Sequence, residues 1–402
     1  MSAAVSLIAA HVCSMLGFST FAALLPQLRD AWSLTNSQAG VVGSMFFAGY
    51  IASVSHWTAF TDRADARKMY AAASLVAAAA SAGFGWLANG FASALVFQAL
   101  LGVGIAGTYM PGLRLLSDRI TGPRQSRAIA FYTASFGIGT ALSFALAGAV
   151  ASRRGWHMAF RAASVGPLIA AATVLSLRPL PRADPPSRRE PLLPFASWRR
   201  ILRRRDVAGY VLGYAVHCLE LFGSRSWMVA FLAFSDTLKP VAERFVWAPQ
   251  SIAAVVNLLS VPSSIVGNEI ALRVGRRRWI LLAMGASGAT GAVLGMSAPA
   301  AWPLLLALLA TYSMLVMAES ATLTAGVVAA APPELRGAAL GLYSLAGFGG
   351  GLLGPVLFGA ALDLAGGAGN RTAWVLGYAA IGSGCLAAPA FARWFARSRP
   401  AP

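Results

Sequence analysis

The sequence predicts an all-α membrane protein with twelve transmembrane helices in two pseudo-symmetric six-helix halves. Of its 402 residues 57% are hydrophobic and 11% are charged, whereas soluble domains carry about 25% charged residues. Apolar stretches of about 20 residues, long enough to cross a hydrocarbon core of roughly 30 Å, recur along the chain. A basic, proline-rich segment near the middle separates six such stretches from six others.

The apolar stretches define the spans in chain order. The first has no basic residues before it and no small-residue cleavage site after it, so we expect a retained span and not a signal peptide. The predicted spans are 5–28, 36–58, 69–88, 91–114, 126–152, 156–178, 207–234, 248–272, 279–298, 301–331, 337–362 and 371–395.

The placement of basic residues predicts the orientation. The net charge is +18, and of the 32 Lys and Arg residues 24 fall in loops on one side of the predicted membrane and 6 on the other. Cytoplasmic loops carry such an excess, so both termini are expected in the cytoplasm and the chain in the cell (inner) membrane. The charge is thus an orientation signal, and we expect no nucleic acid partner.

The middle segment predicts the domain organisation. Residues 1–178 form the N-terminal six-helix half, 179–206 a cytoplasmic linker and 207–402 the C-terminal half. The linker begins with prolines and arginines, which favour water over packed structure. Phe195, Trp198, Ile201 and Leu202 then recur at helical spacing between arginines, which predicts a short amphipathic helix on the inner membrane surface.

The two halves show a weak internal repeat. When the sequence is aligned with itself at a displacement of about 209 residues, Arg67 falls on Arg276. Both residues lie in the loop after the second span of their half. The same displacement places Arg127 on Arg336 at the entry to each fifth span. Because one displacement aligns two separate regions, a duplication is favoured over coincidence. Two six-span halves with the same orientation in the membrane are parallel repeats, related by an axis along the membrane normal.

The loop after the second span carries a motif. The stretch "TAFTDRADARK" resembles the pattern Gly-x-x-x-Asp-Arg-x-Gly-Arg-Lys of the major facilitator superfamily of secondary transporters, with Thr58 and Asp65 in place of glycines. In the second half "RVGRRR" is a degenerate copy. The resemblance implies a cytoplasmic gate of charged residues, formed by Asp62, Arg63, Arg67, Lys68, Arg273, Arg276 and Arg277.

The fourth span departs from that family. Many proton-coupled members carry an arginine four residues before a Gly-x-Gly in this span, and the present sequence has Gln98 there. The departure argues against the usual arginine-assisted proton mechanism. Gln98 is therefore expected to be a polar residue of the substrate cavity, as is Asn257 in the eighth span.

Ionisable residues interrupt the seventh span. Glu220 lies near its middle, where an ionised side chain costs about 2.5–3.5 kcal/mol on insertion scales. His217 shares a helix face with Glu220, because the two are three residues apart. Arg225 lies about 140° round the helix from Glu220, so it is expected to meet another helix, a headgroup or an anionic substrate.

Two further residues complete the candidate site. By the same displacement His11 corresponds to Glu220, and the resemblance implies that spans 1 and 7 flank a central cavity. Glu319 is a second acid within a span, and a buried carboxylate is suited to carrying protons. The predicted substrate and proton residues are His11, Gln98, His217, Glu220, Arg225, Asn257 and Glu319. For each of them a purely structural role in helix packing is the alternative.

These features favour a secondary active transporter of a small polar solute or anion, working by alternating access and coupled to protons. Abundant aromatic residues leave a multidrug or toxic-compound efflux transporter as the alternative. The histidines and cysteines have no metal-ligand spacing, and nucleotide and hydrolase motifs are missing, so we expect no enzyme activity, metal or cofactor. Cys13, Cys218 and Cys385 are expected to be packing thiols. The expected partners are the solute, protons and the bilayer, with the monomer as the working unit.

Overall fold

The computed structural model describes residues 3–61, 64–120, 123–179, 194–332 and 335–396. These residues form helices and no strand. The α-helices are α1 Ala3–Ser14, α2 Thr20–Ala31, α3 Asn36–Thr61, α4 Ala66–Leu87, α5 Phe91–Ser117, α6 Pro123–Leu175, α7 Phe195–Arg203, α8 Arg205–Thr237, α9 Pro249–Val274, α10 Arg276–Met296, α11 Trp302–Ala318, α12 Ser320–Ala330, α13 Arg336–Leu364 and α14 Arg371–Ala396.

The helices supply twelve membrane spans. Ten helical stretches of the described chain are long and apolar enough to cross a membrane. The stretch Arg127–Leu175 has 49 residues, which is enough for two crossings, and α14 adds a span of 26 residues. The fold class predicted from the sequence, an all-α membrane protein with twelve spans in two six-helix halves, is confirmed.

Local sequence explains where several helices begin and end. Gly155 divides α6 into the predicted spans 5 and 6, because its φ of 77° lies in the left-handed region that other residues rarely adopt. Asp65 precedes α4 and accepts a hydrogen bond from the backbone N–H of Arg67, as a helix N-cap does. Both boundaries fall where the sequence predicted a turn.

One compact unit, called unit 1, comprises Met1–Leu34, Met45–Leu193 and Trp247–Leu258. A core cluster on the first and the third to sixth spans includes Leu7, Tyr70, Leu116 and Val174, all nearly inaccessible. Further along the bundle Phe84 stacks on Phe160 with ring centroids 3.9 Å apart. These contacts pack α1, α4, α5 and α6 together.

The second compact unit, called unit 2, comprises Thr35–Ser44, Pro194–Val246 and Leu259–Pro402. Its core cluster contains residues of α8, α10, α12 and α13, among them Val211, Met284, Leu323 and Tyr343. The short helix α7 joins this cluster through the fully buried Ile201, while its Phe195 and Leu202 remain exposed.

The tenth span differs from the single helix expected over 301–331. It consists of α11 and α12, and the helix is interrupted at Glu319. The interruption therefore falls on one of the two acids that the sequence singled out within spans.

Candidate functional site

Unit 2 brings His217 and Glu319 together. The imidazole Nδ1 of His217, on α8, lies 3.1 Å from Oε1 of Glu319, and both side chains are almost completely buried. This hydrogen bond becomes an ion pair when the imidazole is protonated. The other polar atoms, His217 Nε2 and Glu319 Oε2, have no partner in the described part of the chain. The pair is thus only half saturated, although it is withdrawn from solvent.

Glu220 lies one turn along α8 from His217 and is also inaccessible to solvent. The hydroxyl of Ser287, on α10, donates to its Oε2 at 2.8 Å. Its Oε1 has no hydrogen-bond partner in the described chain, although the Cys385 thiol, a weak donor, lies beside the carboxylate. Glu220 therefore retains one acceptor atom that a proton or a ligand can occupy.

Arg225 provides the positive charge in the same helix. Its side chain is buried to 8% exposure, and its Nη2 donates to the thioether sulfur of Met317 at 3.6 Å. A thioether is a weak acceptor, whereas a guanidinium can donate five hydrogen bonds and binds carboxylates in bidentate fashion. Arg225 is consequently poorly satisfied for a cation at this depth, and an anionic ligand would improve its environment.

Side chains of neighbouring helices surround the interruption beside Glu319. The indole Nε1 of Trp279 donates to the carbonyl of Ala318 at 3.0 Å. The backbone N–H of Ala321 donates to Ser264 Oγ at 3.2 Å. Backbone groups released by the interruption are thus bonded to side chains of α9 and α10, as buried backbone groups require.

In unit 1 His11 is the buried ionisable residue that the sequence singled out. Its Nδ1 lies 2.7 Å from Ser135 Oγ, and its ring stacks on Tyr132 at a centroid distance of 4.7 Å. Its Nε2 has no partner in the described residues. Gln98 is buried in α5 of this unit, and Asn257 donates to the Ala253 carbonyl within its own helix at 2.8 Å.

The contacts within each unit correct the predicted pairing of His11 with Glu220. In unit 1 His11 stacks on Tyr132 of the fifth span. In unit 2 the equivalent position is the eleventh span, the fifth of its half, and there Tyr214 stacks on Tyr343 at 3.8 Å. By these contacts His11 corresponds to Tyr214, and Gly17 corresponds to Glu220. The same stacked rings place Tyr132 on Tyr343, 211 residues apart, so no single displacement of 209 residues relates the two units.

Backbone approaches support this correction. Gly139 lies against the backbone of Val12 in unit 1, and Gly350 lies against the backbone of Ala215 in unit 2. The two pairs repeat the same relation between first and fifth spans as the stacked rings. The ionisable side chain of Glu220 is therefore a feature of unit 2 that unit 1 lacks.

The predicted cytoplasmic gate is described in part. Asp62 and Arg63 lie outside the described residues. Arg67 forms an ion pair with Asp65, with its Nη2 2.6 Å from the carboxylate, and its Nη1 donates to the carbonyl of Leu177, two residues after the end of α6. Side-chain hydrogen bonds from Arg67 are the main cause that lowers the pKa of Asp65. Arg67 thus ties the loop before α4 to the end of the sixth span.

The other described gate residues differ in exposure. Lys68, Arg273 and Arg277 are exposed, and Arg276 is half-buried. The buried Nε of Arg276 has no hydrogen-bond partner in the part of the chain that the structure describes.

Several residues beside the site were not predicted as functional. Ser287, Trp279 and Ser264 lie in apolar helices, where serine and tryptophan are common as packing residues. Cys385 was predicted to be a packing thiol, yet it lies beside Glu220. Asp65 was noted only as a departure from the family motif. In the described ranges no group of three or more His, Cys, Asp or Glu is arranged to hold a metal ion.

Known proteins resemble this chain in sequence. The sequence profile of the Major Facilitator Superfamily matches residues 7–355. A protein of Cupriavidus pinatubonensis named "Probable 4-methylmuconolactone transporter" is 26% identical over 270 residues, which cover 65% of this chain and 60% of the relative. The chain therefore matches less than two thirds of that relative's length.

Solved structures share the fold. A bacterial homologue of the human lysosomal transporter Spinster, in an inward-facing and unoccupied conformation, has a TM-score of 0.76 at 16% identity, over 99% of this chain and 98% of its own. The nucleoside transporter NupG has a TM-score of 0.76 at 14% identity, over 98% of this chain and 100% of its own. With the profile match over most of the chain, these findings make it a multi-pass membrane transporter and not an enzyme, and it belongs to the major facilitator superfamily of secondary transporters.

Proposed function

We propose that this transporter carries a small organic anion together with protons by alternating access, in an inner membrane with both termini in the cytoplasm. The observation that carries the proposal is the buried cluster of His217, Glu220, Arg225 and Glu319 in unit 2. Ionisable groups at the depth of a bilayer are costly and are kept where they serve transport. A cluster of four, with unpaired atoms on three of them, favours function over packing.

Arg225 supports an anionic substrate. Among the described residues it donates to the thioether of Met317, and replacing this weak acceptor with a carboxylate would create charge-assisted hydrogen bonds. The likeness to a protein named as a probable transporter of 4-methylmuconolactone supports a small organic solute. His11, Gln98 and Asn257 are proposed to contribute polar contacts to substrate rather than to carry protons.

The two carboxylates support proton coupling. When both are ionised, Arg225 offsets one of their two negative charges. Each proton that the cluster binds makes its net charge one unit more positive and so favours an anion. Because coupling between two ligands is reciprocal, anion binding then favours proton binding to the same extent. This linkage favours symport of anion and proton.

Uptake by the purified protein in liposomes, with and without an imposed pH gradient, tests the proposal. The panel holds small carboxylates, inorganic anions, nucleosides and cationic drugs. We expect a carboxylate to accumulate only with an inward proton gradient. We also expect Arg225→Gln to reduce this uptake at least 10-fold, about 1.4 kcal/mol or more of lost binding, which is modest for a hydrogen bond to a charged group.

Arg161→Gln is the matched control, because it makes the same substitution at another arginine. Arg161 is also an arginine within a span, but its Nε already donates to the Gly85 carbonyl at 3.0 Å and its guanidinium lies over the Trp86 ring at 5.2 Å. We expect this variant to transport as the wild type does. Uptake that is indifferent to the pH gradient would contradict proton coupling, and transport of cationic drugs in place of carboxylates would favour the efflux alternative.

A further inference from the structure

The tenth span is interrupted at Glu319, the acid whose side chain meets His217. The helix α11 ends at Ala318 and α12 begins at Ser320. The backbone of Glu319 has φ −97° and ψ −16°, which departs from regular helix by a moderate amount. An interruption of this kind needs other partners for the backbone groups it releases, because lipid and buried protein offer no water.

Two side chains supply those partners. Trp279 Nε1 donates to the Ala318 carbonyl at 3.0 Å, on the N-terminal side of Glu319. Ser264 Oγ accepts from the Ala321 N–H at 3.2 Å, on the C-terminal side. Gly267, one turn from Ser264, lets the α9 backbone approach the Ala318 carbonyl so closely that a side chain would collide with it. The interruption is therefore held from both sides by α9 and α10.

Unit 1 contains the same approach without the interruption. Gly49 of α3 lies against the Ala99 carbonyl of α5 just as Gly267 lies against that of Ala318. The helix α5 nevertheless continues from Phe91 to Ser117. In α5 the residue after Ala99 is Leu100, where unit 2 has Glu319. Close packing through a glycine does not by itself break the helix, and the interruption accompanies the acid.

We propose that Trp279 and Ser264 are positioning residues for proton binding at Glu319. By bonding to Ala318 and Ala321 they hold the interruption in the geometry that directs the carboxylate to His217. Neither residue touches the proton-binding atoms. The proposal rests on the proposed function, because it assumes that Glu319 takes part in proton-coupled transport.

The test compares the pH profile of carboxylate uptake in variants. Trp279→Phe keeps the aromatic ring and removes the N–H, and Ser264→Ala removes only the hydroxyl. Loss of a hydrogen bond that positions Glu319 is expected to displace the midpoint of the profile by roughly half a pH unit or more. Hydrogen exchange at the amides of residues 319–323 is expected to become faster in both variants.

Trp57→Phe is the matched control, because Trp57 Nε1 donates to the Val103 carbonyl at 2.8 Å in an uninterrupted helix of unit 1. This variant is expected to keep the wild-type midpoint. A second comparison adds Trp279→Phe to Glu319→Gln, and we expect no displacement beyond that of Glu319→Gln alone, because the indole acts through the carboxylate.

The outcomes separate the two proposals. A wild-type midpoint in both Trp279→Phe and Ser264→Ala, with a displaced midpoint in Glu319→Gln, overturns the positioning role and leaves the proposed function standing. A wild-type profile in Glu319→Gln overturns the proton role of Glu319 and the positioning role with it. If Trp279→Phe does not fold, Ser264→Ala decides by itself.

Discussion

At the scale of single residues, two buried cations differ in the acceptors around them. Lys239 is as buried as Arg225, at 8% exposure. Its ammonium group, however, donates to the carbonyls of Ser235 and Ala298 at 3.0 and 3.2 Å and lies over the Trp302 ring. Lys239 is thus a saturated cation that fixes a helix end. Among the described residues Arg225 donates to the thioether of Met317 alone, and this difference is why we propose it for ligand binding.

Asp65 gives the first prediction, on stability and pH. Asp65→Ala removes the N-cap of α4, so we expect it to lower the free energy of unfolding by about 1 kcal/mol at pH 7. Arg67 lowers the pKa of Asp65 below its ordinary value of 3.8. The stabilisation is therefore fully present above pH 3.8 and is lost as the pH falls through the lowered pKa. Thermal unfolding in detergent between pH 7 and pH 2.5 measures it.

Asp118→Ala is the control for that measurement. The carboxylate of Asp118 lies 3.8 Å from Arg114, and both side chains are substantially exposed, so removal is expected to change stability by less than about 0.5 kcal/mol. A difference between Asp65→Ala and the wild type that persists unchanged at pH 2.5 would show that the charge of Asp65 contributes nothing.

The buried acids of the site could be predicted from the sequence, but the residues that hydrogen-bond to them or to the backbone beside them could not. Glu220 and Glu319 stand out because a carboxylate in an apolar run has a free-energy cost that needs a reason. Ser287 and Trp279 are common residues in transmembrane helices, and only the tertiary structure shows which groups they hydrogen-bond to. His11 was paired with the wrong residue, because a single displacement cannot follow loops of different length in the two halves.

At the scale of elements, one carboxylate fixes the start of α3. Oδ1 of Asp363 accepts from the backbone N–H and the side-chain amide of Asn36, at 3.1 and 2.7 Å. Its Oδ2 accepts from the N–H and the hydroxyl of Ser37, at 2.7 and 2.6 Å. The end of α13 thus caps the N-terminus of another helix, where a negative charge is favourable. Thr35–Ser44 belongs to unit 2, and α3 continues into unit 1 from Met45.

The second prediction concerns this cap. Asp363→Ala leaves four donors without their acceptor, and hydrogen bonds to charged groups are worth about 1.5–3 kcal/mol where they are buried. Because Asp363 is half-buried, we expect a loss near the lower figure, measured as a decrease in the thermal midpoint in detergent. Asp30→Ala is the control, since its pair with Arg29 leaves Asp30 70% exposed. Equal midpoints for the two variants would contradict the assigned role of Asp363.

Most elements could be predicted, because span length and apolar composition are strong signals. The division of α6 at Gly155 followed from two apolar stretches separated by arginines and a glycine. The interruption at Glu319 was not predicted from the sequence, because the apolar run over 301–331 has no proline or glycine near its middle that would indicate a helix break. The compensating hydrogen bonds come from α9 and α10, and such tertiary contacts cannot be read from the apolar run.

At the scale of the whole molecule, the two units repeat their internal contacts but differ in chemistry. Rings stack between first and fifth spans in both, as His11 on Tyr132 and as Tyr214 on Tyr343. The acids at mid-span occur in unit 2, where Glu220 stands in the place of Gly17. We infer that the duplicated framework serves both halves while proton binding is confined to one.

The third prediction is the membrane topology. The excess of basic residues in alternate loops predicts that both termini lie in the cytoplasm. Reporters that are active only in the cytoplasm are expected to be active when fused at residues 178 and 396. A reporter that is active only outside the cytoplasm is expected to be active when fused in the loop after Thr237. A terminus reported outside the cell would reverse the assignment and place the Asp65–Arg67 pair on the outer surface.

The fourth prediction separates the roles of the two units. His11→Gln keeps a polar group beside Ser135 and removes the imidazole. If proton binding is confined to unit 2, this variant is expected to raise the KM for the carboxylate several-fold while the midpoint of its pH profile stays within about 0.3 unit of the wild type. Glu220→Gln, measured beside it, is expected to displace the midpoint by more than this. A displaced midpoint in His11→Gln would place a proton-binding residue in unit 1 as well, and the division between framework and chemistry would then fail.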